Sequence, residues 1–358
     1  MTRRPSILVM AGGTGGHIFP GLAVAEYLRV CGWDVSWLGN SKGMEYRLVP
    51  ARGFAFESVQ FGGLRGKGFM TKILLPLNLL RAGFQSWNIV RRLKPSVVLG
   101  MGGYITFPGG LVSYLLRRPL VLHESNSVAG TANRALAKIA KKTLTGFPKT
   151  MGDAEWVGNP IRATFDELAS PSSRYAQRHG RLSILVVGGS LGAAALNEHI
   201  PAALALISKE RRPKVIHQAG EKHLGDLQHR YATLGVEADV RPFIEDMAQA
   251  YGQADLVICR SGAMTISEIA ASGVASCLIP FPHAIDDHQT TNARFLSNAD
   301  AAILLPQTHL NAQDLAELLK NMTRNDLQEM AERAHAFAKP NATKRVAEIC
   351  ANCAGVDI

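Results

Sequence analysis

The sequence predicts an α/β protein built from two doubly wound parallel sheets, and three observations support this. Two apolar runs, "ILVM" from Ile7 and "ILVV" from Ile184, each lead into a glycine turn and then a helical pattern. A strand that feeds a helix through such a turn is the opening unit of a doubly wound sheet. The length, 358 residues, exceeds what one ordinary core holds. We therefore expect two Rossmann-like domains in tandem.

The third observation is a series of short apolar runs that alternate with helical stretches. They are residues 34–39, 96–101, 119–124, 214–220, 254–259 and 275–281. Runs of this kind are typical of parallel strands covered on both faces. The proline- and serine-rich stretch 159–181 has no clean period and predicts the interdomain linker. A last helix from about Ala342 is expected to return to the first domain, so the domains are 1–161 with 341–358, and 162–340.

Composition limits the class of partner. Apolar residues make up 47% and charged residues 19%, which is normal for a soluble globular protein, but the net charge is +10. That charge indicates an anionic membrane surface, a phosphorylated substrate or nucleic acid. Nucleic acid is disfavoured because no RNA-binding signature interleaves rings with arginines. Five scattered cysteines suit a reducing compartment, and Cys350 and Cys353 are expected to be ordinary helix cysteines.

Two segments resemble membrane or export signals. The N-terminal apolar run is too short for a signal peptide. Residues 96–116 are uncharged and long enough to cross a bilayer, but they contain five glycines and Pro108. We expect a short strand, a glycine turn and a helix start there.

Each opening strand is followed by a glycine loop, at 12–16 and 188–193. Bare backbone amides at a helix start attract anions, so each loop is either a phosphate-binding loop or a plain tight turn. Neither matches the GxGxxG fingerprint, and no GxxxxGK[ST] occurs. His17 follows the first loop. It either packs at the helix start or acts as a general base.

Two polar segments mark the second domain. In "CRSGAMTISEIAASG" (259–273), Glu268 lies one turn into a helix, where it complements the helix dipole or accepts hydrogen bonds from a ribose diol. The loop in 280–293 carries a polar cluster after a strand, which suits a ligand loop. Its neighbouring pair Asp286 and Asp287 is not a spaced metal motif, and a solvated loop is favoured over metal.

Nine ordered segments carry a resemblance to a known family. They are "GGTGGHIFPGLAVA", "GLRGKG", "VLGMGGYITFPGG", "VLHESN", "VGNPIR", "VVGGSLGA", "FIEDM", "CRSGAMTISEIAASG" and "HQTTNA". The sequence thus resembles the MurG family, the peripheral UDP-N-acetylglucosamine transferases of bacterial peptidoglycan synthesis. The resemblance implies a GT-B fold, with two Rossmann-like domains and a deep interdomain cleft. It also implies inverting, metal-independent and cofactor-free transfer of N-acetylglucosamine from UDP-GlcNAc to the 4-hydroxyl of undecaprenyl-pyrophosphoryl-MurNAc-pentapeptide, at the cytoplasmic face of the inner membrane.

The resemblance also implies roles for individual residues. His17 is the catalytic residue, as general base or as a group that orients the acceptor. The residues implied in donor binding are Thr14, Gly15, Gly16, Asn126, Arg162, Ser190, Ile244, Ala263, Met264, Thr265, Ile266, Ser267, Glu268 and Gln289. Glu268 is implied on the ribose diol, the backbone of Ile244 on the uracil and Gln289 on the sugar hydroxyls. Ser125 and Leu191 stand where the family commonly has Gln.

Membrane docking is expected from residues 63–94. The basic residues there are Arg65, Lys67, Lys72, Arg81, Arg91, Arg92 and Lys94. An apolar helical stripe is formed by Phe69, Ile73, Leu77, Leu80, Phe84 and Trp87. The stripe either inserts partly into an anionic membrane or belongs to the core. Alternative functions are a UDP-sugar 2-epimerase of the same fold, a nicotinamide-dependent oxidoreductase and a non-enzymatic membrane adaptor.

Overall fold

The chain folds as two compact units, Met1–Ile161 with Asn341–Ile358, and Arg162–Pro340. The structure is a computed structural model that describes residues 4–61, 74–165, 167–189 and 193–358. Each unit contains one parallel sheet with helices on both faces.

Within its described residues the first unit has a seven-stranded sheet, and every neighbouring pair is parallel. Strands β1 to β7 are Ser6–Met10, Asp34–Gly39, Ala55–Ser58, Val97–Gly100, Leu120–Glu124, Lys142–Thr145 and Glu155–Trp156. Their spatial order is β3-β2-β1-β4-β5-β6-β7, so the winding reverses between β1 and β4. In such sheets ligands bind beside the carboxyl ends of the two strands at the reversal.

Helices cover both faces of this sheet. The first five, α1 to α5, are Gly15–Val30, Glu45–Leu48, Leu75–Leu93, Thr106–Leu115 and Thr131–Leu136. Alternate residues of β1 pack into the hydrophobic cores on opposite sides of the sheet, because the side chains of a strand alternate between its faces. Ile7 and Val9 pack on the side of α1, whereas Leu8 and Met10 pack on the side of α3 and α4. All four are buried, as a continuous apolar run predicts.

The second unit has a six-stranded parallel sheet in its described residues. Strands β8 to β13 are Ser183–Val187, Lys214–Gln218, Asp239–Arg241, Leu256–Cys259, Ala275–Leu278 and Ile303–Leu304. Helices α6 to α13 are Pro171–Ala176, Ala194–Ala205, Leu224–Thr233, Met247–Gln253, Ala263–Ser272, His288–Ser297, Ala312–Asn321 and Arg324–His335. The spatial order β10-β9-β8-β11-β12-β13 places the reversal between β8 and β11.

The last helix, α14 (Ala342–Ala354), packs on the first unit. Val346 and Cys350 share one apolar core with residues of α1, and the Thr343 hydroxyl donates to the Ile161 carbonyl at 3.1 Å. Cys350 and Cys353 lie on the buried side of the helix, where burial raises the pKa of both thiols. They are therefore packing residues, as expected.

The uncharged stretch 96–116 is not a continuous helix. It forms β4, a glycine turn and α4, which confirms the interpretation from sequence. Among the helices of the described residues, none combines the length and apolar character that a bilayer span needs.

All six additional strands expected from apolar runs are present. No strand was expected at β3, β6, β7, β10 or β13. These strands have two to four residues and include the edges of both sheets, where side chains stay partly exposed. Strands this short carry too little periodicity to be recognised from sequence.

The stretch 159–181 is not a simple linker, so that expectation was wrong from residue 162 onward. Phe165 and Tyr175 are buried, and the Tyr175 hydroxyl donates to the Asp255 carbonyl at 2.6 Å. The polar composition concealed two aromatic anchors that fix this segment to the second unit.

Asp255 is the centre of a buried polar cluster in the second unit and is 1% exposed. Its Oδ1 accepts from the guanidinium groups of Arg178 at 3.0 Å and Arg324 at 3.3 Å. Its Oδ2 accepts from the Ser183 amide at 2.8 Å. One carboxylate therefore ties the segment after α6, the start of β8 and the start of α13 to β11.

We predict that Asp255→Ala lowers the free energy of unfolding by about 3–5 kcal/mol, because it leaves the charges of two largely buried arginines without the carboxylate that neutralises them. Asp239→Ala is the matched control, since Asp239 pairs with Arg241 at the surface. That variant should cost at most about 1 kcal/mol. Urea unfolding measures both, and equal small losses would contradict the role assigned to Asp255.

Candidate active site

The loop between β1 and α1 presents bare backbone at the start of a helix. Gly13 has φ +90°, and Thr14 is extended at the N-cap without a side-chain cap bond. The amides of His17 and Ile18 bond back to the Thr14 carbonyl at 3.1 and 3.2 Å. No acidic residue lies in the first turn of α1. The helix start therefore keeps its positive end, which favours an anion or a neutral imidazole.

His17 lies against the loop that follows β4. A Cβ placed on Gly102 would be 2.7 Å from His17 Nδ1, and Gly102 has φ +100°. A Cβ on Gly103 would collide with the Gly12 carbonyl. Only glycine fits either position, so the loops on the two sides of the reversal point pack backbone against backbone. The half-buried imidazole is held in this contact.

The loop after β5 is organised by Glu124, which is 2% exposed. Its carboxylate accepts from the amides of Asn126 and Gly130, both at 3.0 Å, and from Asn133 Nδ2 at 2.9 Å. These bonds fix the backbone at the predicted donor-binding residue Asn126. Sequence reasoning assigned no role to Glu124. The available signal was a carboxylate as the last residue of a predicted strand.

His123 and Ser125 flank this carboxylate and are both fully buried. Burial lowers the pKa of His123 to about 4, although its bond to the Gly158 carbonyl works in the other direction. The Ser125 hydroxyl has no hydrogen-bond partner within the described part of the chain. Its side chain is therefore a packing group in this structure.

In the second unit, α10 carries most of the predicted donor-binding residues. Gly262 caps it without a side chain, and the first turn contains no acidic residue. Ala263 and Ile266 are buried, so their side chains face the protein interior. Met264, Thr265, Ser267 and Glu268 are half-buried. Ile266, like the buried Ile244 that precedes α9, can meet a ligand through its backbone only.

Glu268 is not an ordinary surface carboxylate. Although part of the residue reaches solvent, desolvation by the surrounding protein raises its pKa to about 7. The charge of Arg162 partly opposes this shift. The Arg162 guanidinium also donates to the Glu245 carbonyl at 3.2 Å, next to Ile244. Arg162 thus joins the loop after β10 to the surroundings of Glu268.

A side-chain hydrogen bond connects Gln289 to the segment that follows β12. Its Oε1 accepts from the Phe281 amide at 2.9 Å. Arg260, directly after β11, donates to the carbonyls of Ile279 and Pro280, both at 3.1 Å. Arg260 was not singled out from sequence, where the signal was a cation at the end of a buried strand. It fixes the start of the loop that leads to Gln289.

The acidic pair in this loop has a local role. Asp286 and Asp287 have φ of 52° and 50°, and Asp287 accepts from the Thr290 hydroxyl at 2.6 Å. In the described ranges no group of three or more side chains could hold a metal ion. Ser190 and Leu191 lie outside the described residues, so the role of Ser190 stays a prediction.

The structure therefore groups the predicted residues within each unit. In the first unit, Thr14 to His17 follow β1 and Asn126 follows β5, and β4 lies between these two strands. In the second unit, α10 follows β11 and Gln289 follows β12, its neighbour. Ile244 follows β10, two strands from β8, and the Arg162 bond brings that loop into contact with the start of the unit.

Comparison with known proteins gives the family. The glycosyltransferase family 28 N-terminal domain matches residues 7–145, and the family's C-terminal domain matches residues 183–348. A protein of Polynucleobacter asymbioticus is 76% identical over 99% of both chains. One of Ralstonia nicotianae is 61% identical over 96% of this chain and 95% of its own. Both are named UDP-N-acetylglucosamine–N-acetylmuramyl-(pentapeptide) pyrophosphoryl-undecaprenol N-acetylglucosamine transferase.

Solved structures agree with the sequence relatives. The crystal structure of Acinetobacter baumannii MurG has a TM-score of 0.85 at 39% identity and covers 97% of this chain and 99% of its own. The glycosyltransferase of kitacinnamycin has a TM-score of 0.70 at 14% identity, over 98% and 99% of the two chains, which shows shared fold alone. These comparisons, with the two parallel sheets, confirm the GT-B class expected from sequence. The chain belongs to glycosyltransferase family 28.

Proposed function

We propose that this protein transfers N-acetylglucosamine from UDP-GlcNAc to the MurNAc-pentapeptide carried on undecaprenyl pyrophosphate, in peptidoglycan precursor synthesis. The names of relatives that are 76% and 61% identical support this substrate pair. The structural observation that carries it is the position of His17, held against the bare backbone of Gly102 at the reversal point of the first sheet. A UDP-sugar 2-epimerase is disfavoured, because these relatives are named as transferases.

In this mechanism His17 removes the proton of the acceptor 4-hydroxyl. The hydroxyl oxygen attacks the anomeric carbon of the donor sugar, the bond from that carbon to the diphosphate oxygen breaks, and UDP leaves with the electron pair. The configuration at the anomeric carbon inverts. The uncapped positive end of α1 favours the neutral imidazole that a base requires. Thr14, Gly15, Gly16 and Asn126 are placed near the donor in this proposal.

Residues of the second unit bind the nucleotide in this proposal. The ionised Glu268 accepts hydrogen bonds from the two ribose hydroxyls, and the first-turn amides of α10 face the diphosphate. The backbone at Ile244 reads the uracil, and Gln289 binds sugar hydroxyls. Backbone dipoles and the Arg162 guanidinium stabilise the departing UDP, so the reaction proceeds without a metal.

The acceptor lipid is a membrane molecule, and α3 offers a surface for docking. Leu77, Leu80 and Phe84 are 64%, 72% and 68% exposed and recur at three- and four-residue spacing. Tyr114 and Leu115, on the neighbouring α4, are also exposed. A contiguous set of large exposed apolar side chains is unusual for a protein surface. We propose that this exposed face, which we call the α3 apolar face, enters the cytoplasmic leaflet of the inner membrane.

The opposite side of α3 belongs to the core, where Ala82, Ser86, Ile89 and Val90 are buried. Trp87 is half-buried and packs against this core, so its assignment to the exposed stripe was wrong. Arg91 and Lys94 are exposed beside the helix end, and Arg92 pairs with Glu57 at 2.7 Å. The predicted residues Arg65, Lys67, Phe69, Lys72 and Ile73 lie outside the described residues.

We predict that His17→Ala lowers kcat by about 100-fold or more, the scale of a lost general base, with little change in UDP-GlcNAc affinity. The assay follows UDP release that depends on the lipid-linked acceptor. His229→Ala, on the exposed surface of α8, is the control and should keep wild-type turnover. Turnover of His17→Ala within a factor of two of wild type would remove His17 as the base.

We predict that UDP-GlcNAc affinity rises about tenfold between pH 6 and pH 8. Burial raises the pKa of Glu268 to about 7, and only the ionised form accepts both ribose hydroxyls, so binding strengthens as pH rises through 7. Glu268→Gln should weaken binding by about ten- to a hundredfold and flatten the pH dependence. Calorimetry measures both, with the exposed Glu329→Gln as control. A mutant with wild-type affinity and an unchanged pH slope would exclude the ribose contact.

Rising pH has the opposite effect on the folding stability of the protein: ionisation of Glu268 strengthens ligand binding but lowers the stability of the fold. Because the folded-state pKa lies above the usual glutamate value of 4.5, the native state binds more protons than the unfolded state between pH 4.5 and 7. Without ligand, the contribution of Glu268 to stability is fully present below pH 4.5. It is lost as the pH rises to 7.

We predict that the protein binds vesicles containing anionic lipid and that binding falls with salt, because ions screen the basic residues. Replacing Leu77, Leu80 and Phe84 by Ser should release it from such vesicles at any salt concentration. Val30→Ser removes an apolar side chain that is 88% exposed on α1 and is the control. Sedimentation with vesicles measures binding. Retention of the triple variant would show that docking uses another surface.

A further inference from the structure

Glu45 is a buried carboxylate next to the glycine loop that precedes His17. It is the first residue of α2 and is 1% exposed. Its Oε2 accepts from the Gly13 amide at 3.2 Å, and its Oε1 accepts from the Asn40 amide at 3.0 Å. The same side chain thus connects the loop after β1 with the loop after the neighbouring strand β2.

The surroundings of this carboxylate are bare backbone. A Cβ on Gly12 or Gly43 would lie under 3.0 Å from a carboxyl oxygen of Glu45, and one on Gly39 would be 2.7 Å from its Cγ. Three glycines therefore make room for one acidic side chain. Burying a carboxylate is costly unless hydrogen bonds compensate it, and here both recorded bonds come from backbone amides. A site of this form constrains the loop geometry strongly.

A second side chain from the same region holds the other end of the loop. Trp37 Nε1 donates to the Ala11 carbonyl at 3.0 Å, and Trp37 is fully buried. Ala11 and Gly13 are therefore both fixed by residues that β2 and α2 supply. Between them, Gly12 packs against the loop after β4.

We propose that Glu45 is a positioning residue for the glycosyl transfer: it holds the Gly13 amide and thereby sets where α1 presents His17. Gly13 has φ +90°, and a glycine has wide freedom at such angles, so an external bond is needed to select one conformation. Thr14 and the first turn of α1 come immediately after Gly13 in the chain, so the conformation of Gly13 sets their position. Displacing a catalytic group by about 1 Å can cost a hundredfold in rate. The inference rests on the proposed function, because it assigns Glu45 an effect on His17.

The Glu45 contact also divides the amides of the loop into two sets. The Gly13 amide is occupied by a carboxylate of the protein, whereas Thr14 provides no side-chain cap for the helix. An anionic substrate group that approaches the loop would therefore be met by the amides at the start of α1 and not by that of Gly13.

Glu45→Gln tests the proposal with little change in volume. The amide keeps one acceptor oxygen but turns an NH₂ group toward the other backbone N–H, so one of the two bonds is lost. We expect kcat to fall by about tenfold or more while the UDP-GlcNAc KM, the UDP-binding stoichiometry and the melting temperature stay near wild type. Glu26→Gln is the control, since Glu26 pairs with Arg52 at the surface of the same unit. It should turn over like wild type.

Two further measurements separate positioning from general destabilisation. In the His17→Ala background, Glu45→Gln should cause little additional loss of kcat, because residues that act through one another are not additive. Hydrogen exchange of residues 11–19 should be faster in Glu45→Gln than in wild type, in the absence of substrate. Independent, additive losses in the double variant, or unchanged exchange, would refute the positioning role.

The outcomes also distinguish this inference from the proposed function. If wild type releases no UDP in response to the lipid-linked acceptor, the proposed reaction fails. If wild type transfers sugar and Glu45→Gln matches it, only the role of Glu45 fails. Should Glu45→Gln not fold, Glu45→Asp keeps the charge but is one methylene shorter and cannot span both amides. The same loss of kcat and the same faster exchange are expected of it.

Discussion

Backbone packed against backbone at the reversal point of the first sheet is the constraint on which the candidate active site depends. The loops after β1 and β4 approach so closely that a Cβ on Gly103 would collide with the Gly12 carbonyl. The His17 ring occupies the adjoining position against Gly102. Because neither glycine has a side chain, the imidazole is placed by main-chain geometry. The strands that carry these loops are buried on both faces. The register between β1 and β4 therefore fixes the relative position of the two loops.

Buried carboxylates organise the loops around this contact. Glu45 binds the amides of Gly13 and Asn40, and Glu124 binds those of Asn126 and Gly130. Asp255 performs a related task in the second unit, with two arginines and the Ser183 amide. In each case hydrogen bonds offset the cost of burial. The loops are thereby held in one conformation before a ligand arrives.

Glu268 differs from these three carboxylates, and the difference supports its proposed role. The surrounding protein partly desolvates its carboxyl group, which raises the pKa to about 7. A carboxylate whose ionisation costs free energy in the ligand-free protein gains most from a ligand that donates hydrogen bonds to it.

The two faces of helix α3 differ in their exposure to solvent. One of its faces is buried in the core, while Leu77, Leu80 and Phe84 on the other remain exposed.

The sequence by itself determined the α/β class, the two sheet openings and the six additional central strands, because continuous apolar runs between glycine turns are local signals. Its ordered motifs also identified the family and the position of His17 at the start of α1. Edge strands such as β10 were missed, since two to four half-exposed residues carry no periodicity. The roles of Glu45 and Arg260 depend on contacts between residues that are distant in the chain; 32 positions, for example, separate Gly13 from Glu45. Only the tertiary structure decided those contacts, because a hydrogen bond between two loops requires the parallel sheet that places them side by side.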